Sequence, residues 1–497
     1  MIPITTKRLF SFCISLLLCI FFGCGKKSTS AITPPVVPPV NEKLSTITID
    51  PSVKFQNIDG FGFFGARDVW WGNSANLYSD AWATQVLEDL GVTIWRNEYY
   101  PPATPTVAQD ADWAKQKPVV EGLNRIAISK KIPLKFIFTV WSPPASLKCA
   151  LDANDNPISG SPNPGGAKNG GTLDPAKYTE FGNWLADGIQ LYKNSGVDVY
   201  AISPQNEPLF RQSFNSCYYK PITPNAGSYN NMVKGAIPVV KTRFPNVKIF
   251  GSENMLSMEG GNDRQWFYNK SLLQDATALA NIDILAVHGY SDGISPTGSS
   301  QLAKLWNTSK AEHTSIANKP YWMTETSGYG ENWLGNSTFK SGAINLAMDM
   351  HAALYHGNAS AWVWWQGSAT DGISEFTLMK HTEQKGKKYF VSKHFYRFIR
   401  PGAKMIKLTY DESAGIFASA YQHTAMGAFT IVLINNGDKQ VKLNLAGTGI
   451  PNNFDYYLTT ANAADNCTKS SSRTSKDNII LPPYSVVTLV DGNVVEQ

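Results

Sequence analysis

From about residue 59 to 398 the sequence alternates short apolar runs with longer stretches of helical periodicity. That alternation is the pattern of βα units feeding a parallel sheet. Eight runs have strand character: 60–65, 92–98, 134–140, 197–203, 247–252, 284–287, 321–324 and 361–365. Eight such units close into a barrel whose active site sits at the C-terminal ends of the strands. In the stretch between, 174–193 shows how a helix is written: Asp174 stands as N-cap, Pro175 takes the first helical position, and Tyr178, Phe181, Leu185 and Ile189 form an apolar stripe. Ser79 caps a similar stretch through Val86 and Leu90.

Beyond Pro401 the texture changes to period-two and short apolar runs at 416–421, 428–434, 441–445, 454–459 and 485–490. An Asn435-Asn436-Gly437-Asp438 turn separates two of them, a hairpin signal. These runs predict a small antiparallel sandwich. Residues 46–53 are also strand-like and precede the barrel, so they could pair with the C-terminal domain and tie the two ends together. The expected fold class is α/β: a (β/α)8 TIM barrel over 57–400 with a side antiparallel β-sandwich over 401–497, joined by a strand at 45–56.

Ahead of this lies an export signal in residues 1–24: Lys7 and Arg8, an apolar run over 9–22, then Gly23-Cys24. The run is too short and too early for a membrane span. A Gly-Cys junction there resembles a bacterial lipoprotein signal, which implies a lipidated Cys24. Residues 25–44 form a Ser/Thr/Pro-rich tether that buries no core. The expected location is the bacterial cell envelope, lipid-anchored to the outer membrane on its periplasmic or outer side, with secretion as the alternative. Of six cysteines, Cys149, Cys217 and Cys467 remain in the folded part. Cys149 and Cys217 each follow a strand-end motif, and either join two rim loops in a disulfide or stay as thiols.

A net charge of +5 without basic blocks gives no reason to expect nucleic acid. The seven His are scattered and no His or Cys spacing suggests a metal site. Fourteen Trp and 21 Tyr supply planar faces that stack well on sugars, although most aromatics of any large protein are core. Gly60-Phe61-Gly62-Phe63-Phe64-Gly65 fits the GxGxxG dinucleotide pattern, but it carries three Phe and follows polar Gln56-Asn57-Ile58-Asp59. It reads instead as a first barrel strand whose glycines allow tight packing.

Two strand ends carry the chemistry. Asn206-Glu207-Pro208 follows the fourth run and Glu325, in Met323-Thr324-Glu325-Thr326, ends the seventh, which sets the two carboxyls nearly opposite across a barrel mouth. Glycoside hydrolysis needs one carboxyl to protonate the leaving oxygen and another to attack the sugar or activate water. Asn206, just before a strand-end Glu, is placed to hydrogen-bond the sugar 2-OH. Glu98 and Glu253 also follow apolar runs and read as rim or supporting groups.

Further segments sharpen the picture: Arg96, Trp141-Ser142-Pro143-Pro144-Ala145-Ser146-Leu147-Lys148, Gly170-Gly171-Thr172-Leu173, His288-Gly289-Tyr290, Trp362-Val363-Trp364-Trp365 and Arg397-Phe398-Ile399-Arg400-Pro401-Gly402. With them, residues 45–490 resemble glycoside hydrolase family 30, a retaining family with a barrel and a side sandwich. The resemblance implies Glu207 as acid/base and Glu325 as nucleophile. It also implies that Asn206, Trp141, Tyr290 and Trp365 line the subsite, with Arg96 and His288 in the same substrate-binding set and Arg96 and Tyr290 beside Glu325.

The Ser-Pro-Pro-Ala-Ser-Leu-Lys stretch is more similar to the bacterial xylanase branch than to the glucosylceramidase and β-1,6-glucanase branches. The resemblance therefore implies a retaining endo-β-1,4-xylanase acting on xylan or glucuronoxylan, with a β-1,6-glucanase or other family 30 β-glycosidase as the alternative. From another class comes an inactive glycan-binding lipoprotein. Glucuronate-dependent xylanases of the family use an arginine where this chain reads Lys385-Gly386-Lys387-Lys388, and a lysine offers a point charge without the bidentate fork. The expected partner is a polysaccharide, the expected state a monomer held to the membrane only by its lipid, and the chemistry calls for no metal, nucleotide or organic cofactor.

Overall fold

Eight parallel strands close into a barrel: β1 (Gly60–Phe64), β2 (Ile94–Glu98), β3 (Lys135–Thr139), β4 (Val199–Ser203), β5 (Lys248–Met255), β6 (Ile284–His288), β7 (Tyr321–Thr326) and β8 (Ala361–Trp365). Each pairs with its neighbour in chain order and β8 returns to β1. Every one of the eight expected runs is one of these strands. The computed structural model describes residues 44–71, 76–99, 101, 111–221, 227–255, 271–290, 300–312, 314–335 and 342–494. The expected signal, Cys24 and the tether up to residue 43 lie outside them.

Period-two alternation decides what fills the barrel. Ile94, Ile137, Ala201, Phe250, Ile284, Ala286, Trp322, Ala361 and Val363 form one apolar cluster inside it. Two residues further along the strands stand Arg96, Thr139, Ser203, Ser252, His288 and Trp365. The layer above the apolar plug is therefore polar and aromatic, and it lies at the C-terminal rim, where barrels carry their chemistry. On β1 a Cβ added to Gly62 would stand 1.7 Å from the Ile94 carbonyl oxygen, so only glycine lets β1 and β2 approach this closely. The GxGxxG run is this buried strand.

Around the barrel, the stretch after Asp174 forms as its sequence dictates. The Asp174 carboxylate accepts from the Ala176 N–H, a 3₁₀ turn covers Pro175–Lys177, and the helix Tyr178–Asn194 buries Phe181, Leu185 and Ile189. Ser79 caps its helix by accepting from the Trp82 N–H at 3.1 Å. The thiols of Cys149, Cys217 and Cys467 are free and buried, so no disulfide joins the rim loops. Cys149 and Cys217 serve instead as small apolar fillers, and burial pushes the Cys149 thiol up to about 11.

The second domain is a ten-stranded sheet formed by the N-terminal strand and nine strands between Lys404 and Asp491. The N-terminal strand, Leu44–Asn57, lies between Lys404–Thr409, antiparallel, and Val441–Ala446, parallel. One apolar cluster draws on strands from along the whole sheet, with Ile47, Ile431, Phe454 and Ile479 among its members, so the sheet curls over its own core. Barrel and sheet belong to one compact unit. Between them His394 bridges Thr488 Oγ1 at 2.7 Å and Thr459 Oγ1 at 2.8 Å.

Candidate active site

The loops leaving β3 and β4 are stitched to each other and to the C-terminal end of β5. Asn206 N donates to the Val140 carbonyl at 2.7 Å, Glu207 N to the Glu253 carbonyl at 3.1 Å, and Gln205 Nε2 to the Trp141 carbonyl at 2.9 Å. Glu207 and Glu253 both hold left-handed backbone, with φ of +42° and +55°. For a glutamate that conformation costs on the order of 1–3 kcal/mol and persists where the surroundings over-determine it. Here the stitched loops fix both residues over the barrel mouth.

Arg96 organises what they meet. Its Nη1 donates to Glu325 Oε2 at 2.6 Å, Nη2 to Asn206 Oδ1 at 3.0 Å and to Glu253 Oε1 at 3.1 Å, and Nε to Thr139 Oγ1 at 3.2 Å. The guanidinium also lies 5.3 Å from the Phe64 ring centroid and 5.1 Å from that of Trp141. The Tyr290 hydroxyl donates to Glu325 Oε1, so each oxygen of that carboxylate accepts one strong bond. On the other side His288 Nδ1 is 2.9 Å from Glu207 Oε1, while its Nε2 lies 3.5 Å from Glu253 Oε1. Ligand oxygens of Glu207 and Glu325 and a His288 ring nitrogen all lie within 4.8 Å of one another.

Charges sort themselves accordingly. Burial raises the Glu207 carboxyl, the nearby Glu325 charge adds to that, and the His288 bond opposes it; the net direction is up. For Glu253 burial again acts upward but Arg96 and His288 outweigh it, and the group falls to about 2. Burial would keep His288 neutral, yet Glu325, Glu207 and Glu253 carry it to about 9. At neutral pH the cluster thus holds two fixed cations, Arg96 and His288. Glu207 is pushed towards its protonated form while Glu253 is held ionised, the polarity an acid catalyst needs. With Arg96 beside them, Glu207, His288 and Glu325 form an ion-paired set.

An aromatic wall completes the mouth. Trp365 stacks on Phe64 with centroids 4.4 Å apart, Trp141 stands 6.3 Å from Trp365, and Trp71, 39% exposed, meets Trp365 edge-on at 5.7 Å. Trp141 and Trp365 were expected there. Trp71 was not, because nothing but its partial exposure distinguishes it from a core tryptophan.

Glu207, Glu325, Asn206, Trp141, Tyr290, Trp365, Arg96 and His288 thus converge on one mouth. One expectation needs correction. Arg96 and His288 are completely buried, so they meet the carboxyls and Asn206 and do not line the open cleft. Of the two roles open to Glu253, rim or support, the structure selects support: it is completely buried and is the shared counter-ion of Arg96 and His288. Its signal in the sequence was position alone, one residue past the inward-facing Ser252. Glu98 is buried too, at the end of β2, where its carbonyl accepts from Gln116 Nε2 at 2.6 Å.

The lysines after β8 are committed elsewhere. Lys387 Nζ donates to the Asn462 carbonyl at 2.7 Å and to Asn466 Oδ1 at 2.8 Å, and Lys385 pairs with Asp89 at 2.7 Å. Lys388 is completely buried and donates to the carbonyls of Tyr329 and Ser374, with Glu331 at 3.4 Å. Burial lowers it to about 8 despite Glu331.

Two carboxyls this close at a barrel mouth, one clamped by an arginine and the other pushed towards its acid form, are the parts of a glycoside hydrolase. No family model matches the chain. Glucuronoxylanase XynC of Bacillus subtilis (strain 168) is 27% identical over 361 residues, 70% of this chain and 72% of that protein. Among solved structures, the glycoside hydrolase family 30 subfamily 8 xylanase Xyn30A of Clostridium acetobutylicum superposes with a TM-score of 0.68 at 22% identity, covering 90% of this chain and all of that one. The endo-β1,6-glucanase BT3312 gives 0.66 at 19% identity, over 90% and 94%. The chain is thus similar in sequence to a glucuronoxylanase and in fold to the xylanases of glycoside hydrolase family 30.

Proposed function

We propose that this protein is a retaining endo-β-1,4-xylanase that reads the xylan backbone without requiring a glucuronyl side chain. The observation that carries the reading is the approach of Glu207 and Glu325 to within 4.8 Å at their oxygens. Retaining glycosidases hold the pair about 5 to 5.5 Å apart, whereas inverting ones leave about 6.5 to 9.5 Å for a water.

In the first step a Glu325 oxygen forms a bond to the anomeric carbon as the bond to the leaving oxygen breaks, and Glu207 gives its proton to that oxygen. Glu207, now a carboxylate, takes a proton from water, whose oxygen attacks the same carbon and frees Glu325. Arg96 and Tyr290 orient Glu325 through one bond to each oxygen, which leaves little freedom to the attacking lone pair. Asn206, anchored by Arg96, faces the sugar 2-OH. Trp141 and Trp365 give the sugar ring its stacking surface.

Xylan is supported by the likeness to XynC. Independence from glucuronate is supported by the lysines, whose ammonium groups are used in bonds to Tyr329, Ser374, Asn462, Asn466 and Asp89. We further infer that Cys24 carries the lipid that holds the enzyme at the outer membrane.

Product analysis after incubating the purified enzyme with glucuronoxylan, arabinoxylan and a β-1,6-glucan tests this. Cleavage of both xylans, with no fixed uronate position in the products, is expected. Cleavage of glucuronoxylan alone would contradict independence from the side chain, cleavage of the glucan alone would reassign the substrate, and binding without turnover would mark an inactive glycan-binding protein.

A further inference from the structure

The helix after β7 and a turn of the sandwich bring together a second cluster, remote in sequence from the catalytic mouth. The helix Ala343–His351 passes directly into a π turn, Ala352–His356, in which the Gly357 N–H donates to the Ala352 carbonyl at 2.9 Å, five residues back. In an ordinary α-helix side chains five apart diverge by about 140° around the axis. Widening to an i→i+5 ring draws them towards one face, and such bulges recur at functional sites. His351 and His356 are five apart, and their rings lie 5.6 Å centre to centre.

Opposite them is the 3₁₀ turn Glu412–Ala414, between two strands of the sandwich. His356 Nε2, a buried nitrogen, is 3.3 Å from Glu412 Oε1. Ring nitrogens of both histidines and a Glu412 oxygen all lie within 4.8 Å of one another. The Tyr410 hydroxyl closes the group, 3.0 Å from His351 Nε2 and 3.4 Å from Glu412 Oε1.

We infer that His351, His356 and Glu412 form a Zn²⁺ site that clamps the barrel to the sandwich. Two imidazoles and one carboxylate are a donor set zinc accepts, with solvent or Tyr410 as the fourth ligand. Ligands about 2.0 to 2.1 Å from a tetrahedral zinc stand about 3.3 to 3.4 Å apart, which is the His356–Glu412 separation. His351 is the anchored member, buried and in ring contact with Tyr355, Tyr410 and Phe417. Glu412, 40% exposed at its side chain, leaves the entry path from solvent. Spacing in the sequence hid the site, because the third ligand comes from the other domain and the histidines lie five apart instead of four.

The test uses untagged, full-length protein stripped with chelator and dialysed against Zn²⁺, followed by metal content and thermal melting. About one zinc per chain is expected, with a higher melting temperature that chelator reverses, as follows when a ligand binds only the folded state. His356→Gln and Glu412→Gln should each lose the zinc and the thermal shift while keeping glycanase activity. Glu412→Gln changes a partly exposed group and tests the site without disturbing the core. Absence of zinc in the wild type would overturn the inference. Equal uptake by both variants would overturn it as well, since the ion would then sit elsewhere, for instance at Glu207, His288 and Glu325.

Discussion

Arg96 holds Glu325 through a 2.6 Å bond from Nη1 to Oε2, and both groups are almost wholly shielded from water. The same guanidinium also neutralises Glu253 at 3.1 Å. Removing one partner from such a buried set leaves uncompensated charge and costs about 3–5 kcal/mol, whatever the net worth of the intact set. Arg96→Met should therefore lower unfolding stability by about that much in urea titrations. Arg96→Lys should keep the fold, but a point charge cannot serve Glu325, Asn206, Glu253 and Thr139 together. A loss of about 10²-fold or more in kcat/KM is expected, and full activity in the lysine variant would deny Arg96 its orienting role.

The pH dependence follows from His288. Its bond and charge hold Glu207 below the value that burial and Glu325 alone would set. In His288→Gln the Glu207 carboxyl should rise further, so the alkaline limb of kcat/KM, where Glu207 loses its proton, should move to higher pH. An unmoved limb would separate His288 from the acid.

Stability supplies an independent sign. His288 is raised from 6.5 to about 9, so the stability it contributes is full below 6.5 and disappears as pH climbs through about 9. Glu253 is depressed to about 2, so its contribution is full above 4.5 and is lost as pH falls through about 2. Melting temperature measured across the alkaline range should fall near pH 9 in the wild type and less steeply in His288→Gln.

Much of this site was legible in the sequence because its chemistry follows strand periodicity. Arg96 and His288 stand two residues beyond the inward-facing Ile94 and Ala286, and Asn206-Glu207 and Thr324-Glu325 announce themselves as polar ends of apolar runs. All eight barrel strands were legible for the same reason. What the sequence hid depends on three-dimensional partners. Glu253 looks like Glu98 in the chain, and only the convergence of β2, β5 and β6 makes it the shared counter-ion. Lys387 and Lys388 looked free for a uronate until the sandwich and the Tyr329 and Ser374 carbonyls claimed them. The two rim cysteines sat at suggestive positions, yet packing uses them as fillers. Lys404–Thr409 escaped because its burial does not alternate strictly, and Ile479–Leu481 because three residues barely show a period.

Those lysines make a further prediction. Lys387→Ala should leave the ratio of activities on glucuronoxylan and arabinoxylan unchanged, since its ammonium is spent on Asn462 and Asn466. Lys388→Ala should lower the melting temperature, because Glu331 and two carbonyls lose their donor, with that ratio again unchanged. A fall confined to glucuronoxylan in either variant would make that lysine a uronate receptor.

Double displacement requires that Glu325 form a covalent bond to the sugar while Glu207 handles the proton. The direct measurement is to react the enzyme with an activated 2-deoxy-2-fluoro xylobioside, whose glycosyl-enzyme turns over slowly, and to locate the added mass by peptide mass spectrometry. A label on the peptide containing Glu325, lost in Glu325→Gln and retained in Glu207→Gln, is the predicted result. A label on another carboxylate, or no label with release of an inverted product, would contradict double displacement through Glu325.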